Sequence, residues 1–124
     1  MSDITVMIVE DDPNSRDILE NLLQFHDVEA ISVETAEAGL ALLKEKTPDL
    51  ILIDLDLPVM NGVDMLREIR ANPLLGSVAV VAITAHDLPL VASSSLEAGF
   101  DAYFSKPIRP KTFVESLLQI LVRS

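Results

Sequence analysis

Apolar residues fall along the chain in short runs, separated by longer stretches where they recur every three or four positions. The runs cover residues 5–9, 30–33, 50–53, 78–83 and 102–104. Three of them contain a core that is apolar at every position: Val6-Met7-Ile8-Val9, Leu50-Ile51-Leu52-Ile53 and Val80-Val81-Ala82-Ile83. A strand with one wet face alternates, whereas a continuous run suits a parallel strand covered on both faces. The intervening stretches read as helices. Asp12 followed by Pro13 is an N-cap with proline at the first helical position, and Ile18, Leu19, Leu22 and Leu23 supply an apolar face. Thr35 is a candidate cap for a second helix with Ala36, Leu40 and Leu43 on one stripe. A third runs over residues 62–70, with Val63, Leu66 and Ile69 inward. A weaker fourth lies between Pro89 and Ala98 and is ended by Gly99. The last follows Pro110 and places Phe113, Leu117 and Leu121 on one face.

Strand-then-helix, five times over, predicts an α/β fold with right-handed crossovers. The economical arrangement is a flavodoxin-like, doubly wound (βα)5 fold with a five-stranded parallel sheet in the order 2-1-3-4-5, whose ligand site lies beyond the carboxyl ends of the strands. Length agrees: 124 residues make one domain. With 49% hydrophobic residues the chain can bury a core, so wholesale disorder is excluded. No apolar run approaches the ~20 residues of a membrane helix, and the start lacks a basic n-region. The absence of cysteine excludes disulfides, thiolate metal sites and thiol catalysis. These features predict a cytoplasmic protein. Twenty acids against nine bases give a net charge of −11, which disfavours direct binding to nucleic acid or to anionic membranes.

The chemistry sits at the predicted strand ends. The first run ends in Glu10-Asp11-Asp12, the third in Asp54-Leu55-Asp56, the fourth in Thr84, Ala85 and His86, and the fifth in Ser105-Lys106-Pro107. A parallel sheet brings all of these to one edge, and strands one and three are neighbours in the predicted order. Carboxylates packed together repel unless something compensates, and a hard cation with oxygen ligands, Mg²⁺ first, compensates best. Helix capping alone accounts for Asp12 but leaves Asp54 and Lys106 unexplained.

These residues carry a family resemblance. Val9-Glu10-Asp11-Asp12, Asp54-Leu55-Asp56-Leu57-Pro58-Val59-Met60-Asn61-Gly62, Ile83-Thr84-Ala85 and Tyr103-Phe104-Ser105-Lys106-Pro107 resemble, in order and near spacing, the motifs of response-regulator receiver domains. These are the phospho-accepting half of bacterial two-component signalling, and the likeness to single-domain, chemotaxis-regulator-like receivers covers almost the whole chain. The resemblance implies that Asp54 is the phosphoryl acceptor. It implies that Asp11 binds Mg²⁺ (or Mn²⁺) directly, that Glu10 helps through water, and that Asp54 itself and the main-chain carbonyl of Asp56 complete the protein ligands. By the same resemblance Thr84 hydrogen-bonds the phosphoryl group, Lys106 pairs with it, Tyr103 changes orientation with phosphorylation, and Lys106-Pro107 is a cis peptide. Two positions depart from the commonest pattern: Asp56 and His86 stand where the family flanks the path of the attacking water, which bears on phosphoryl lifetime.

The residue types suit the chemistry. A carboxylate is a competent nucleophile toward phosphorus, and phosphoryl transfer needs charge neutralisation and in-line positioning above all. Other readings are less economical. Asp54-Leu55-Asp56 also resembles the nucleophile motif of haloacid-dehalogenase-type phosphatases, but falls on the third strand rather than the first. A flavin site would want a phosphate loop after strand one, where this chain has three acids. A receiver-like scaffold that is never phosphorylated leaves the retention of Asp54, Asp11, Thr84 and Lys106 without a reason. The expectation is therefore a single receiver domain over residues 1–124 with no output domain, a phosphorylation switch rather than a turnover enzyme, whose phosphorylation either switches binding to another protein or is relayed onward to a histidine phosphotransfer protein. Its expected partners are a histidine kinase or a histidine phosphotransfer protein, and a downstream protein bound through the face formed by the fourth and fifth helices. It is expected to be a monomer or a phosphorylation-dependent dimer. The fourth-helix segment, with Leu88, Leu90, Val91 and Leu96 and three serines, should expose some of its leucines and be less stable than its neighbours.

Overall fold

Five parallel strands form one sheet in the order β2-β1-β3-β4-β5. They are β1 (Thr5–Val9), β2 (Glu29–Val33), β3 (Leu50–Asp54), β4 (Ala79–Thr84) and β5 (Ala102–Ser105). The computed structural model describes residues 4–55, 62–76, 78–84, 99–105 and 108–123. Within these lie α1 (Pro13–Phe25), α2 (Ala36–Leu43), α3 (Gly62–Ala71), a 3-10 turn at Pro73–Leu75, and a C-terminal helix (Pro110–Arg123). The helix expected over 89–98 lies outside the described residues. The predicted order and class are thus borne out, and observed strand limits differ from the predicted ones by one residue at most. No described helix is long and apolar enough to cross a membrane.

The three uninterrupted apolar runs are the three inner strands. The pleat sends Met7, Val9, Ile51, Ile53, Val80 and Ala82 to one face, against Ala36 and Leu43 of α2 and Met65, Leu66 and Ile69 of α3. It sends Val6, Ile8, Leu50, Leu52, Val81 and Ile83 to the other, against Leu19 and Leu23 of α1 and Phe113, Val114 and Leu117 of the C-terminal helix. The edge strands β2 and β5 have no fully buried residue. Both faces are therefore covered, as the sequence pattern requires, and the site can form only at a sheet edge.

One inward face needs correction. Ile18 is 61% exposed. On a helix it lies roughly 120° from the midpoint of Leu19 and Leu23, against roughly 80° for half-buried Leu22. In α3 Leu66 and Ile69 are buried and Val63 packs partly buried against the same cluster, which Met65 joins.

Two aspartates stitch the amino ends of the strands. Asp49, just before β3, donates its N–H to the Thr5 carbonyl (2.8 Å) and accepts the Thr5 N–H on Oδ2 (2.8 Å). Asp101, just before β5, does the same with Val80: its N–H donates to the Val80 carbonyl at 2.7 Å, and its Oδ2 accepts the Val80 N–H at 2.8 Å. Arg70 of α3 locks the second pair, with its guanidinium 3.0 Å from Asp101 Oδ2 and 3.0 Å from the Val78 carbonyl.

Candidate functional site

The carboxyl ends of β1 and β3 build the site. Val9 pairs with Ile53 across the two strands, so the next residue on each, Glu10 and Asp54, continues side by side. Val9 and Ile53 both face the α2–α3 layer, and strand alternation then turns Glu10 and Asp54 together toward the opposite face. The Glu10 N–H still donates to the Val33 carbonyl (3.1 Å), and the Leu55 N–H to the Ile83 carbonyl (2.8 Å). Both acids are thus held by the last rungs of the sheet.

Carboxylate oxygens of Glu10, Asp11 and Asp54 all lie within 4.8 Å of one another. Glu10 is 2% exposed and Asp54 4%, while Asp11 is open to solvent. Three acids so close, two of them withdrawn from water, repel one another strongly in the absence of a cation. The donor set is all oxygen and fits a hard divalent ion such as Mg²⁺, which is typically held through one or two carboxylates and keeps several waters.

Asp12, by contrast, caps α1. Its Oδ1 accepts the Asn14 N–H (3.4 Å) and its Oδ2 the Ser15 hydroxyl (2.9 Å). Thr35 likewise caps α2, accepting the Ala38 N–H at 3.0 Å. Both caps are where the sequence put them.

Thr84 ends β4 one residue beyond Ile83, the partner of Asp54, and is 1% exposed. Tyr103 of β5 pairs with Ala82 of β4 and is half-buried. It lines a hollow of about 300 Å³ together with Phe104, Ser105, Ile108, Arg109, Thr112 and Phe113. Gly62, the first residue of α3, abuts the end of β3, since a Cβ there would come within 3.1 Å of the Asp54 carbonyl oxygen. Five expected features fall outside the described residues: Asp56, His86, Lys106, Pro107 and the cis bond between the last two.

Sequence reasoning missed Arg16. Its Nη1 donates to the main-chain carbonyls of Glu10 (2.9 Å) and Asp11 (3.2 Å), and its Nη2 contacts Glu34 Oε1 at 3.3 Å. The available signal was a basic residue in the first turns of α1, following a loop of three acids.

Comparison with known proteins bears on this arrangement. The family profile described as response regulator receiver domain matches residues 6–118. The chain is 34% identical over 109 residues to the DNA-binding response regulator MtrA of Mycolicibacterium smegmatis, covering 88% of this chain and 46% of that one. It therefore spans about half the length of that relative. It is 31% identical to the polar-differentiation response regulator DivK of Brucella ovis, covering 94% of this chain and 95% of DivK. Among solved structures, it resembles the receiver domain of the sensor histidine kinase PA1611 from Pseudomonas aeruginosa (26% identity, TM-score 0.89, covering 98% of this chain and 99% of that one). That structure has a magnesium ion coordinated in its active-site cleft.

Proposed function

The chain belongs to the response regulator receiver domain family, and from that premise we propose that it is a phosphorylation switch of two-component signalling in which Asp54 accepts the phosphoryl group. The observation that carries this reading is the convergence of the Glu10, Asp11 and Asp54 carboxylates at the carboxyl edge of the sheet. The magnesium in the cleft of the PA1611 receiver supports assigning them a divalent cation, Mg²⁺ or Mn²⁺. Asp11 and Asp54 would hold it directly and Glu10 through water, with Asp56, which lies outside the described residues, expected to add its main-chain carbonyl. When bound, the cation neutralises charge on the transferring phosphoryl oxygens.

The covalent step belongs to Asp54. One carboxylate oxygen forms a bond to phosphorus as the phosphorus–nitrogen bond of a phosphohistidine breaks. The donor is a histidine kinase or a histidine phosphotransfer protein, and its imidazole leaves with a proton taken from solvent. Thr84 donates its hydroxyl to a phosphoryl oxygen, and Lys106 pairs with the new charge. Movement of Thr84 toward Asp54 makes room for Tyr103 to turn inward, and the altered face between the fourth predicted helix and the C-terminal helix binds a downstream protein. The chain is a switch rather than a turnover enzyme, each molecule carrying one phosphoryl group until water removes it, with Asp56 and His86 setting the lifetime.

Intact-mass measurement after incubation with acetyl phosphate tests the reading. One phosphoryl group is expected on the parent in Mg²⁺, and none on Asp54→Asn or in excess chelator. Equal labelling of Asp54→Asn, or labelling indifferent to chelator, overturns it. Decay of the phosphorylated protein is expected to change in Asp56→Asn or His86→Ala, and unchanged rates in both remove those side chains as determinants.

A further inference from the structure

We infer that Arg16 is a positioning residue that sets the aim of the Glu10 and Asp11 carboxylates by holding the backbone of the loop that carries them. The inference rests on the reading that Glu10, Asp11 and Asp54 hold a divalent cation. Three observations carry it. Arg16 Nη1 bridges two successive carbonyls, those of Glu10 at 2.9 Å and Asp11 at 3.2 Å. The other arm of the fork meets Glu34 Oε1 at 3.3 Å, on the segment that links β2 to α2. The Arg16 side chain is only 16% exposed, although its Glu34 partner is 73% exposed, so the guanidinium itself is seated against the loop.

The geometry follows from the helix. Side chains on α1 lean toward its N-terminus, so a long residue in the first turns reaches back over the loop that precedes it. Only a planar fork with several fixed donors can hold two carbonyls and a carboxylate at once. The peptide planes of Glu10 and Asp11 fix where their Cβ atoms point, and both carboxylates belong to the three that converge within 4.8 Å. Glu34 follows Val33, whose carbonyl accepts the Glu10 N–H at 3.1 Å. One short stretch therefore holds the loop from both sides, directly through the backbone and indirectly through Arg16.

Positioning and simple charge predict opposite signs. A guanidinium near a cation repels it, so if Arg16 acted by charge alone, Arg16→Ala would tighten Mg²⁺ binding and Arg16→Lys would leave it unchanged. If Arg16 positions the loop, both substitutions weaken binding, because a lysine ammonium cannot span the two carbonyls and Glu34. Groups that orient metal ligands from behind typically change affinity by about 10–100-fold when removed, and a weakening of roughly tenfold is expected here.

The experiment is calorimetric titration of the full chain with MgCl₂ and separately MnCl₂, for the parent, Arg16→Lys, Arg16→Ala and Glu34→Ala. Far-UV circular dichroism establishes that each variant is folded at the titration temperature. Arg16→Lys keeps the charge and so decides the test if Arg16→Ala does not fold; Glu34→Ala, at an exposed position, is expected to weaken binding by a smaller factor. A loss of threefold or more in folded Arg16→Lys supports the inference. A smaller change there, or tighter binding in Arg16→Ala, overturns it and leaves the metal reading intact. Failure of the parent to bind either ion overturns the metal reading, and this inference with it.

Discussion

A methyl group added at Gly62 has no room. Its carbon would lie 2.9 Å from Ile53 Cγ2, 3.0 Å from Leu55 Cδ2 and 3.1 Å from the main-chain oxygen of Asp54. Leu55 is half-buried and can turn its Cδ2 aside, but the other two do not yield cheaply. Ile53 is β-branched, stiff at χ1 and fully buried, and the Asp54 oxygen belongs to the strand. Relief requires α3 to back away from β3, or the end of β3 to shift with the acceptor side chain attached. Overpacking of this kind costs ~1–3 kcal/mol. Alanine recovers at most ~1 kcal/mol over glycine in a helix interior, and less at a first helical position. The net expectation for Gly62→Ala is a loss of ~1–2 kcal/mol, or a Tm lower by roughly 3–8 °C for a chain of this size. Gly39 in α2 is the internal control. A Cβ there would meet Met65 Cε at 2.8 Å and the Val9 and Val33 methyls at 3.4 Å. The closest atom is the free end of an unbranched, flexible side chain, and the site is within the helix, so Gly39→Ala is expected within ~0.5 kcal/mol of the parent. Urea unfolding followed by far-UV circular dichroism measures both. Gly62→Ala as stable as the parent, or Gly39→Ala the more damaging of the two, refutes the reasoning.

Two further substitution pairs probe the fold. Leu19→Ala removes a buried side chain from the layer beneath α1 and is expected to cost ~2–4 kcal/mol, whereas Ile18→Ala, one position away and 61% exposed, is expected within ~0.5 kcal/mol; comparable unfolding midpoints would show the assigned helix face to be wrong. Asp101→Ala leaves the N–H of fully buried Val80 without its acceptor and is expected to cost ~1–3 kcal/mol. Asp101→Asn keeps an acceptor oxygen and should cost less, and equal losses in thermal melts would show that the hydrogen bond is not what matters.

The chain announces its inner strands more clearly than its edges. Short runs apolar at every position suit strands covered on both faces, and β1, β3 and β4 are those. Helix starts were legible because Asp12 and Thr35 are side-chain caps whose chemistry is local. Helix faces were less so. An apolar residue such as Ile18 qualifies for the inward stripe by type, but the packing that settles the matter is with the C-terminal helix and the sheet, far along the chain. The acids of the site were readable one by one, since each follows an apolar run. Arg16 was not, because its partners are main-chain carbonyls, which leave no mark on the sequence, and one carboxylate on another segment.

The acidity of the chain has two different meanings at the two ends of the sheet. At the amino end, Asp49 and Asp101 each stand just before a strand and accept one N–H of the neighbouring strand. There a carboxylate satisfies a donor at the start of the neighbouring strand, and its charge is met by hydrogen bonding and, for Asp101, by Arg70 3.0 Å away. At the carboxyl end, Glu10, Asp11 and Asp54 face one another. There three carboxylates are gathered within 4.8 Å rather than dispersed along the ladder, and the last rungs of β1 and β3 fix the backbones that carry two of them. Parallel topology is what makes the division possible. Every strand begins at one edge and finishes at the other, so residues before strands can serve the ladder while residues after them are gathered into a single site. A species that binds the second group of acids is stabilising in proportion to the repulsion it relieves, and that links occupancy of the site to the conformation of the strand ends that carry it.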